Sequence, residues 1–354
     1  MLAIDQVLLD AITRRASDVH VTTDREIRLR IDGVLVPYDN NVLSVEQAEA
    51  LIDPLLDTEP GLREHFEKEG EADFAYEISG SGRFRVNVFR QKRHLGLVMR
   101  LLPFKIPNPK TLGIPKEVLE MSHRPRGLII VTGATGSGKS TTLASMVNIV
   151  NETYAKHIIT IEDPIEYLHF HKKSNVNQRE LGIDTKSYAT AIRAALREDP
   201  DVILVGEMRD LETIQTAITA AETGHLVFST LHTNGAADAI DRMIDVFPPH
   251  QQAQIRIQLA SVLECIVFQQ LLPKASGTGR VAAFEVLIGN PAVRNLIREN
   301  KTYQLNSTMQ TNHKLGMKTM DDDLYDLCLQ NAITPQVALE RSYDFEAMKK
   351  KLML

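Results

Sequence analysis

Between an apolar run, GLIIVT (127–132), and a stretch of good helix formers, STTLASMVNIV (140–150), stands GATGSGKS, Gly133 to Ser140. Few eight-residue segments restrict a fold so strongly. Its glycines let the backbone curl until successive N–H groups point inward, and the helix that follows adds the partial positive charge of its N-terminus. Such a loop needs a buried strand behind it and a helix ahead, so the segment demands an α/β layer architecture. The concavity it forms suits phosphate. Gly133, Ala134, Thr135, Gly136, Ser137, Gly138, Lys139, Ser140 and Thr141 are the expected nucleotide-binding residues. Lys139 would reach the β- and γ-phosphates of ATP, and the Ser140 hydroxyl would ligate Mg2+.

Hydrolysis of ATP requires acid at a second strand end, to position the metal and a polarised water. Two strands are expected to finish that way. HIITIE runs into TIEDPIEY, which sets Glu162, Asp163 and Glu166 close together, and DVILVGE ends at Glu207. Glu207 takes the Walker B position, with Gly206-Glu207 where an aspartate is usual, and its extra methylene suits it to hold the metal through water rather than directly. Asp163-Pro164 makes a turn and Glu166 falls past it, which suits a base reaching water beside the γ-phosphate. Glu162 and Asp163 suit the loop, the Mg2+ hydration shell or a neighbouring arginine. Ordinary strand-end capping is the plain alternative for Glu207, as a solvated turn is for the other three, and the base role stays divided between Glu166 and Glu207.

Other candidates carry weaker signals. STLHTN ends a further strand, where His232 would either sense the γ-phosphate or serve the structure, as a lone strand-end histidine often does. AIRAALREDPD sets Arg193 and Arg197 four apart on an expected helix face, with Glu198, Asp199 and Asp201 near enough to pair with them. In RFRVNVFRQKRHLGLVMR, Arg83 and Arg85 share one strand face, Phe84, Val86 and Val88 the other, and Arg100 follows on the expected partner strand. A basic ridge of this kind is a solvated face, a nucleic-acid surface or a source of arginine fingers, whose planar forks stabilise charge on a transferring phosphoryl group.

The 354 residues suffice for two domains. The segment Pro103 to Pro115, with four prolines and one glycine, is the expected linker. Before it, an amphipathic helix (Ile4, Leu8, Ala11, Ile12) precedes alternating strands with an Asp32-Gly33 turn, a helix capped by Ser44 and Gln47, and the FRVNVF and LGLVMRLL pair. After it, continuous apolar strands alternate with helices, as in a parallel sheet covered on both faces. From Pro248 onward the reading is mainly helical, with starts at Asn290-Pro291 and Thr334-Pro335. The expected domains are therefore 1–102, a linker over 103–115, a core over 116–289 and a helical region over 290–354. Net charge is −6 and aromatic residues make up 5%, without tryptophan, which argues against nucleic acid as the main partner. Cys265 and Cys328 have no metal-like spacing, so no zinc module is expected, and no apolar run approaches the roughly 18 residues that cross a bilayer. A reducing cytosolic location fits.

GATGSGKSTTL, TIEDPIEY, AIRAALREDPDVILVGEMRD and TGHLVFSTLHTN, in this order, resemble the Walker A, Asp box, atypical Walker B and His box of the secretion ATPases of type II and type IV pilus systems. SDVH and FRVNVF extend the likeness over nearly the whole chain, and AVRNLIREN (292–300), together with the short N-terminal region and the absence of a tetracysteine module, resembles the pilus retraction branch. The resemblance implies a PAS-like α+β N-terminal domain, a RecA-like P-loop domain with a helical C-terminal extension, and a homohexamer binding ATP and Mg2+ between the domains. It implies site roles for Arg85, Arg100, Arg193, Arg197, His232, Glu207 and a basic Glu166. It also implies a cytoplasmic motor on the inner membrane that docks on a pilus platform protein, with a paralogous retraction ATPase as a further partner. Beyond Met317 the likeness fades, and the Asp321–Asp323 and Lys349–Lys351 runs are expected to be solvated. A RecA-like nucleic-acid translocase and a non-hydrolysing scaffold subunit are the rival readings.

Overall fold

The strand GLIIVT is buried at all six positions and lies inside a sheet, as a run apolar on both faces must. The computed structural model describes residues 3–31, 33–102 and 106–353. Asp32 of the expected turn, and the first three residues of the expected linker, lie outside them. The chain divides into two compact units, Met1–Lys105 with Glu166–Leu168, and Ile106–Ile165 with His169–Leu354.

The first unit runs α1 (Asp5–Thr13), β1 (Asp18–Val21), β2 (Arg25–Ile31), β3 (Val34–Leu43), α2 (Val45–Ile52), α3 (Leu62–Glu69), β4 (Glu71–Ile78), β5 (Gly82–Gln91) and β6 (His94–Leu102). Its six strands form one antiparallel sheet in the order β3-β2-β1-β6-β5-β4. The capping box at α2 is present, with the Ser44 hydroxyl accepting from Gln47 N and Gln47 Oε1 accepting from Ser44 N. Ile4, Leu8 and Ala11 of the N-terminal helix join Phe84, Val86 and Val88 in the core. This is the expected PAS-like domain.

The second unit continues with α4 (Lys116–Glu120), β7 (Gly127–Thr132), α5 (Lys139–Thr153), β8 (His157–Glu162), β9 (Asn175–Glu180), α6 (Tyr188–Ala195), β10 (Val202–Val205), α7 (Leu211–Glu222), β11 (Leu226–Leu231), α8 (Ala236–Asp245), α9 (Pro249–Val262), β12 (Leu263–Pro273), β13 (Arg280–Ile288), α10 (Pro291–Arg298), α11 (Leu305–Thr311), α12 (Met320–Leu329), α13 (Pro335–Arg341) and α14 (Phe345–Lys351). The sheet order is β13-β12-β7-β11-β10-β8-β9, parallel from β12 to β9 and antiparallel only at β13. Leu128 and Ile130 face one core with α6 to α9, while Ile129 and Val131 face the other with α5. This is the RecA-like domain.

The region after Pro248 is mainly helical, but β12 and β13 interrupt it with an antiparallel hairpin that extends the sheet before the helices resume at Pro291. No glycine or proline separates α9 from β12, so the sequence carried no stop signal. The polar strand β9 was also not foreseen; it lies at the sheet edge, where apolar residues are not required. The aspartate run of the C-terminal helices is engaged rather than solvated. Asp321 accepts from Tyr343 N (2.8 Å) and Asp344 N (3.1 Å), Asp322 pairs with Lys351 (3.0 Å), and Asp323 accepts from Phe284 N (2.8 Å). Lys349 and Lys350 are exposed as expected. These helices pack Met320, Leu324, Ala338 and Met348 against Phe268, Leu272 and Ala283 of the β12–β13 hairpin.

Candidate nucleotide site

Four neighbouring parallel strands, β7, β11, β10 and β8, end side by side, and each ends in a segment singled out above. The crevice at the carboxyl ends of such strands is where α/β folds place ligands. The phosphate loop follows β7, with Gly133, Gly136 and Gly138 all at positive φ (144°, 78° and 92°). A Cβ at Gly133 would stand 2.4 Å from the Gln269 carbonyl oxygen and 2.7 Å from Ser137 Oγ, so only glycine lets the loop fold over itself there. Lys139 is buried and donates to the carbonyls of Gly133 (2.8 Å) and Ala134 (3.1 Å), which arches the loop around its ammonium. Ser140 and Thr141 lie in the first turn of α5, half-buried.

Gln269, on β12, is the site residue that sequence reasoning missed. Its side chain is buried, donates from Nε2 to the Ser137 carbonyl (2.8 Å) and accepts at Oε1 from the Thr142 hydroxyl (2.7 Å). One amide thereby fastens the loop to the helix that follows. It lies far along the chain in a stretch read as helical, so no local signal pointed to it.

Next along the crevice, the loop after β11 is latched to β7, where Thr132 Oγ1 accepts from Thr233 N at 2.9 Å. The loop after β10 is latched to β11, with Met208 N bonded to the Thr230 carbonyl (3.1 Å) and Thr230 Oγ1 donating to the Gly206 carbonyl (2.5 Å). These latches set His232 Nε2 3.5 Å from Glu207 Oε1, while Arg209 Nη2 lies 2.8 Å from Glu207 Oε2. Burial and the Lys139 ammonium hold the His232 imidazole below its ordinary range, so it is neutral at neutral pH. Gly206 explains the missing aspartate. A Cβ there would meet the Tyr188 hydroxyl at 2.9 Å, the Ile161 carbonyl at 3.2 Å and Glu162 Cα at 3.3 Å. Tyr188 opens α6, and burial together with the charges of Asp163 and Glu207 pushes its phenol up.

At the end of β8, Glu162 Oε1 accepts from the Thr160 hydroxyl (2.6 Å) and Gln178 Nε2 (3.1 Å). Asp163 and Glu166 are exposed, Glu166 beyond the Asp163-Pro164 bend. Arg193 and Arg197 do not share a helix face, because α6 stops at Ala195 and Arg197 follows in a turn ahead of Asp199, whose φ is +53°. Nor do the nearby acids pair with Arg193, which bonds Glu212 of α7 at 2.7 Å. In the first unit, Arg85 and Arg100 stand directly opposite each other across β5 and β6.

An oxygen-only donor set suits Mg2+, and among the described residues no group of three or more His, Cys, Asp or Glu side chains forms a dedicated metal cage. Ser137 Oγ is buried without a hydrogen-bond partner inside the loop, an orphan that an incoming phosphate oxygen would satisfy. The residues present thus fit a metal shared between protein and phosphate.

A family model described as type II/IV secretion system protein matches residues 1–320. The chain is 48% identical over 339 residues to the type IV pilus retraction ATPase PilT of Pseudomonas aeruginosa, covering 96% of this chain and 98% of that one. It is 36% identical over 284 residues to the type IV pilus assembly ATPase PilB of the same species, covering 77% of this chain and 48% of PilB. The crystal structure of the pilus retraction motor PilT with bound ADP superposes with a TM-score of 0.91 at 50% identity, over 99% of this chain and 100% of the other. On this likeness the chain belongs to the type II/IV secretion system protein family.

Proposed function

We propose that the chain is a Mg2+-dependent ATPase that powers retraction of type IV pili, working as a homohexamer on the cytoplasmic side of the inner membrane. Its docking partner is the membrane-embedded platform protein of the pilus, and a paralogous retraction ATPase is a further partner where one is present. Among the described residues no helix is long and apolar enough to cross a membrane, which is compatible with peripheral attachment. The observation that carries the reading is the convergence of Lys139, Glu207 and His232 on adjacent strand ends, in a chain that matches a retraction ATPase over 98% of that protein's length.

In this reading the phosphate loop and Lys139 bind and neutralise the β- and γ-phosphates. Ser140 and Glu207 would hold Mg2+, which would supply further charge neutralisation. Glu207 orients the attacking water within the grip of Arg209 and His232, and Glu166 shares the role of base. Neutral His232 reports the γ-phosphate to Glu207 through their 3.5 Å contact. Arg85, Arg100, Arg193 and Arg197 offer planar forks for the charge spreading over the transferring group. An extension or secretion motor of the same family would use the same chemistry. A nucleic-acid translocase is disfavoured by the net charge of −6.

The test is genetic and biochemical. Deletion in the native host should give excess surface pili without twitching, restored by wild type and not by Glu207→Gln. The purified Glu207→Gln protein should bind nucleotide yet lose roughly two orders of magnitude or more in kcat. Bald cells would assign extension instead, and DNA-stimulated turnover would favour the translocase.

A further inference from the structure

Glu285, on β13, is 2% exposed, and its two oxygens serve two helices. Oε1 accepts from Ala236 N, the first residue of α8, at 2.8 Å; Oε2 accepts from Met320 N, the first residue of α12, at 3.4 Å. The first of these helices begins four residues beyond His232, and the second opens the C-terminal extension. One buried carboxylate thus joins the His232 loop to the extension.

The charges facing it are of the wrong sign for a structural anion. Asp238 of α8 and Asp321 of α12 are both carboxylates, and Tyr343, from the turn before α14, brings its hydroxyl to within 3.0 Å of where a Cβ on Gly235 would stand. The nearby Lys318 is committed to Asp323 (2.5 Å) and Asp326 (2.7 Å). Burying a carboxylate with no cation beside it is costly; an amide of the same shape would avoid that cost but offers one acceptor oxygen to two N–H donors, so only the ionised carboxylate holds both helices. A glutamate at this point therefore calls for a role that depends on its charge.

We propose that Glu285 is a positioning residue for ATP hydrolysis, holding the His232 loop to the C-terminal extension when ionised and releasing the extension when it takes up a proton. Oε2, with the longer bond, is the oxygen that takes the proton. It then becomes a donor, and Met320 N loses its acceptor while Oε1 keeps α8. Burial, the first cause, together with Asp238 and Asp321, pushes the Glu285 carboxyl up to about 7, so the exchange falls near neutral pH. The proposal rests on the reading of the His232 loop as part of the ATP site.

The experiment is steady-state ATP hydrolysis by the full chain between about pH 6 and 8.5, with kcat and KM separated. For wild type, kcat is expected to climb as pH passes about 7 while KM stays level. Glu285→Gln should abolish that climb and leave kcat roughly five- to tenfold below the wild-type plateau, the effect of one weakened positioning bond. Asp238→Asn removes one facing charge and should move the midpoint to lower pH at an unchanged plateau. A wild-type profile in Glu285→Gln, or an unmoved midpoint in Asp238→Asn, overturns the proposal; the second variant decides alone if the first does not fold. His232→Ala separates the two readings. Full activity in it removes the His232 loop from the site, whereas its inactivity beside an unaltered Glu285→Gln profile removes only the role of Glu285.

Discussion

Arg100 Nε lies 2.9 Å from Asp18 Oδ1, and this bond offsets the charge of an arginine that stands directly opposite Arg85 on the exposed face of β5 and β6. Like charges facing each other in a sheet destabilise it. Here Asp18 also lies opposite Arg30 on the other side, with Arg30 Nε 3.8 Å away, and Asp73 lies 3.8 Å from Arg85 Nε. This arginine pair is thus held in place by a carboxylate that the sequence did not mark.

Asp18→Asn should therefore lower the stability of the first unit by roughly 1–2 kcal/mol, seen as a lower urea midpoint at neutral pH. Burial raises the Asp18 carboxyl, but hydrogen bonds from Ser17 and Arg100 outweigh it and hold the group below its ordinary value of 3.8. The contribution is present above that value and is lost as pH falls through the lower folded one. An unchanged midpoint in the variant at pH 7 would show that the arginines need no such neutralisation.

Gly206→Ala should cost about 1–3 kcal/mol, because its methyl meets the Tyr188 hydroxyl at 2.9 Å and two backbone neighbours. Tyr188→Phe removes the hydroxyl, so the double variant should recover part of the loss. A thermal-melt double-mutant cycle with no coupling would separate the two residues.

Gln269→Ala would leave the Ser137 carbonyl and the Thr142 hydroxyl without their shared partner. A loss of roughly 2–4 kcal/mol in stability is expected, together with weaker ATP binding, since the phosphate loop is no longer fastened to α5. Calorimetric nucleotide titration checks it. Wild-type affinity in a folded variant would make the amide irrelevant to the loop.

The buried Glu285 also sets a pH trend in stability. Its folded value of about 7 lies above the ordinary 4.5, so across that window the folded chain holds a proton that the unfolded chain has released. Stability from this group is fully present below 4.5 and falls as pH rises through about 7, by on the order of 3 kcal/mol. Melting of wild type at pH 5 and pH 8, beside Glu285→Gln, should show a shallower decline in the variant. Equal slopes would mean that Glu285 does not carry it.

Local signals determined much of this protein. Glycine spacing with Lys139 and Ser140 marked the phosphate loop, uninterrupted apolar runs marked β7, β8, β10 and β11, and alternation marked β5, because each depends only on residues near in the chain. Asn290 and Thr334 marked helix starts for the same reason: a cap bonds to a backbone N–H three residues on. Tertiary structure decided the rest. A strand order of β13-β12-β7-β11-β10-β8-β9 brings Gln269 to Ser137, Tyr188 to Gly206 and Glu285 to both Ala236 and Met320. Those pairings join residues from 18 to 132 positions apart, where no periodicity or capping rule reaches. They arise because sheet order brings distant segments together, and buried polar groups must then find partners among whatever the packing supplies.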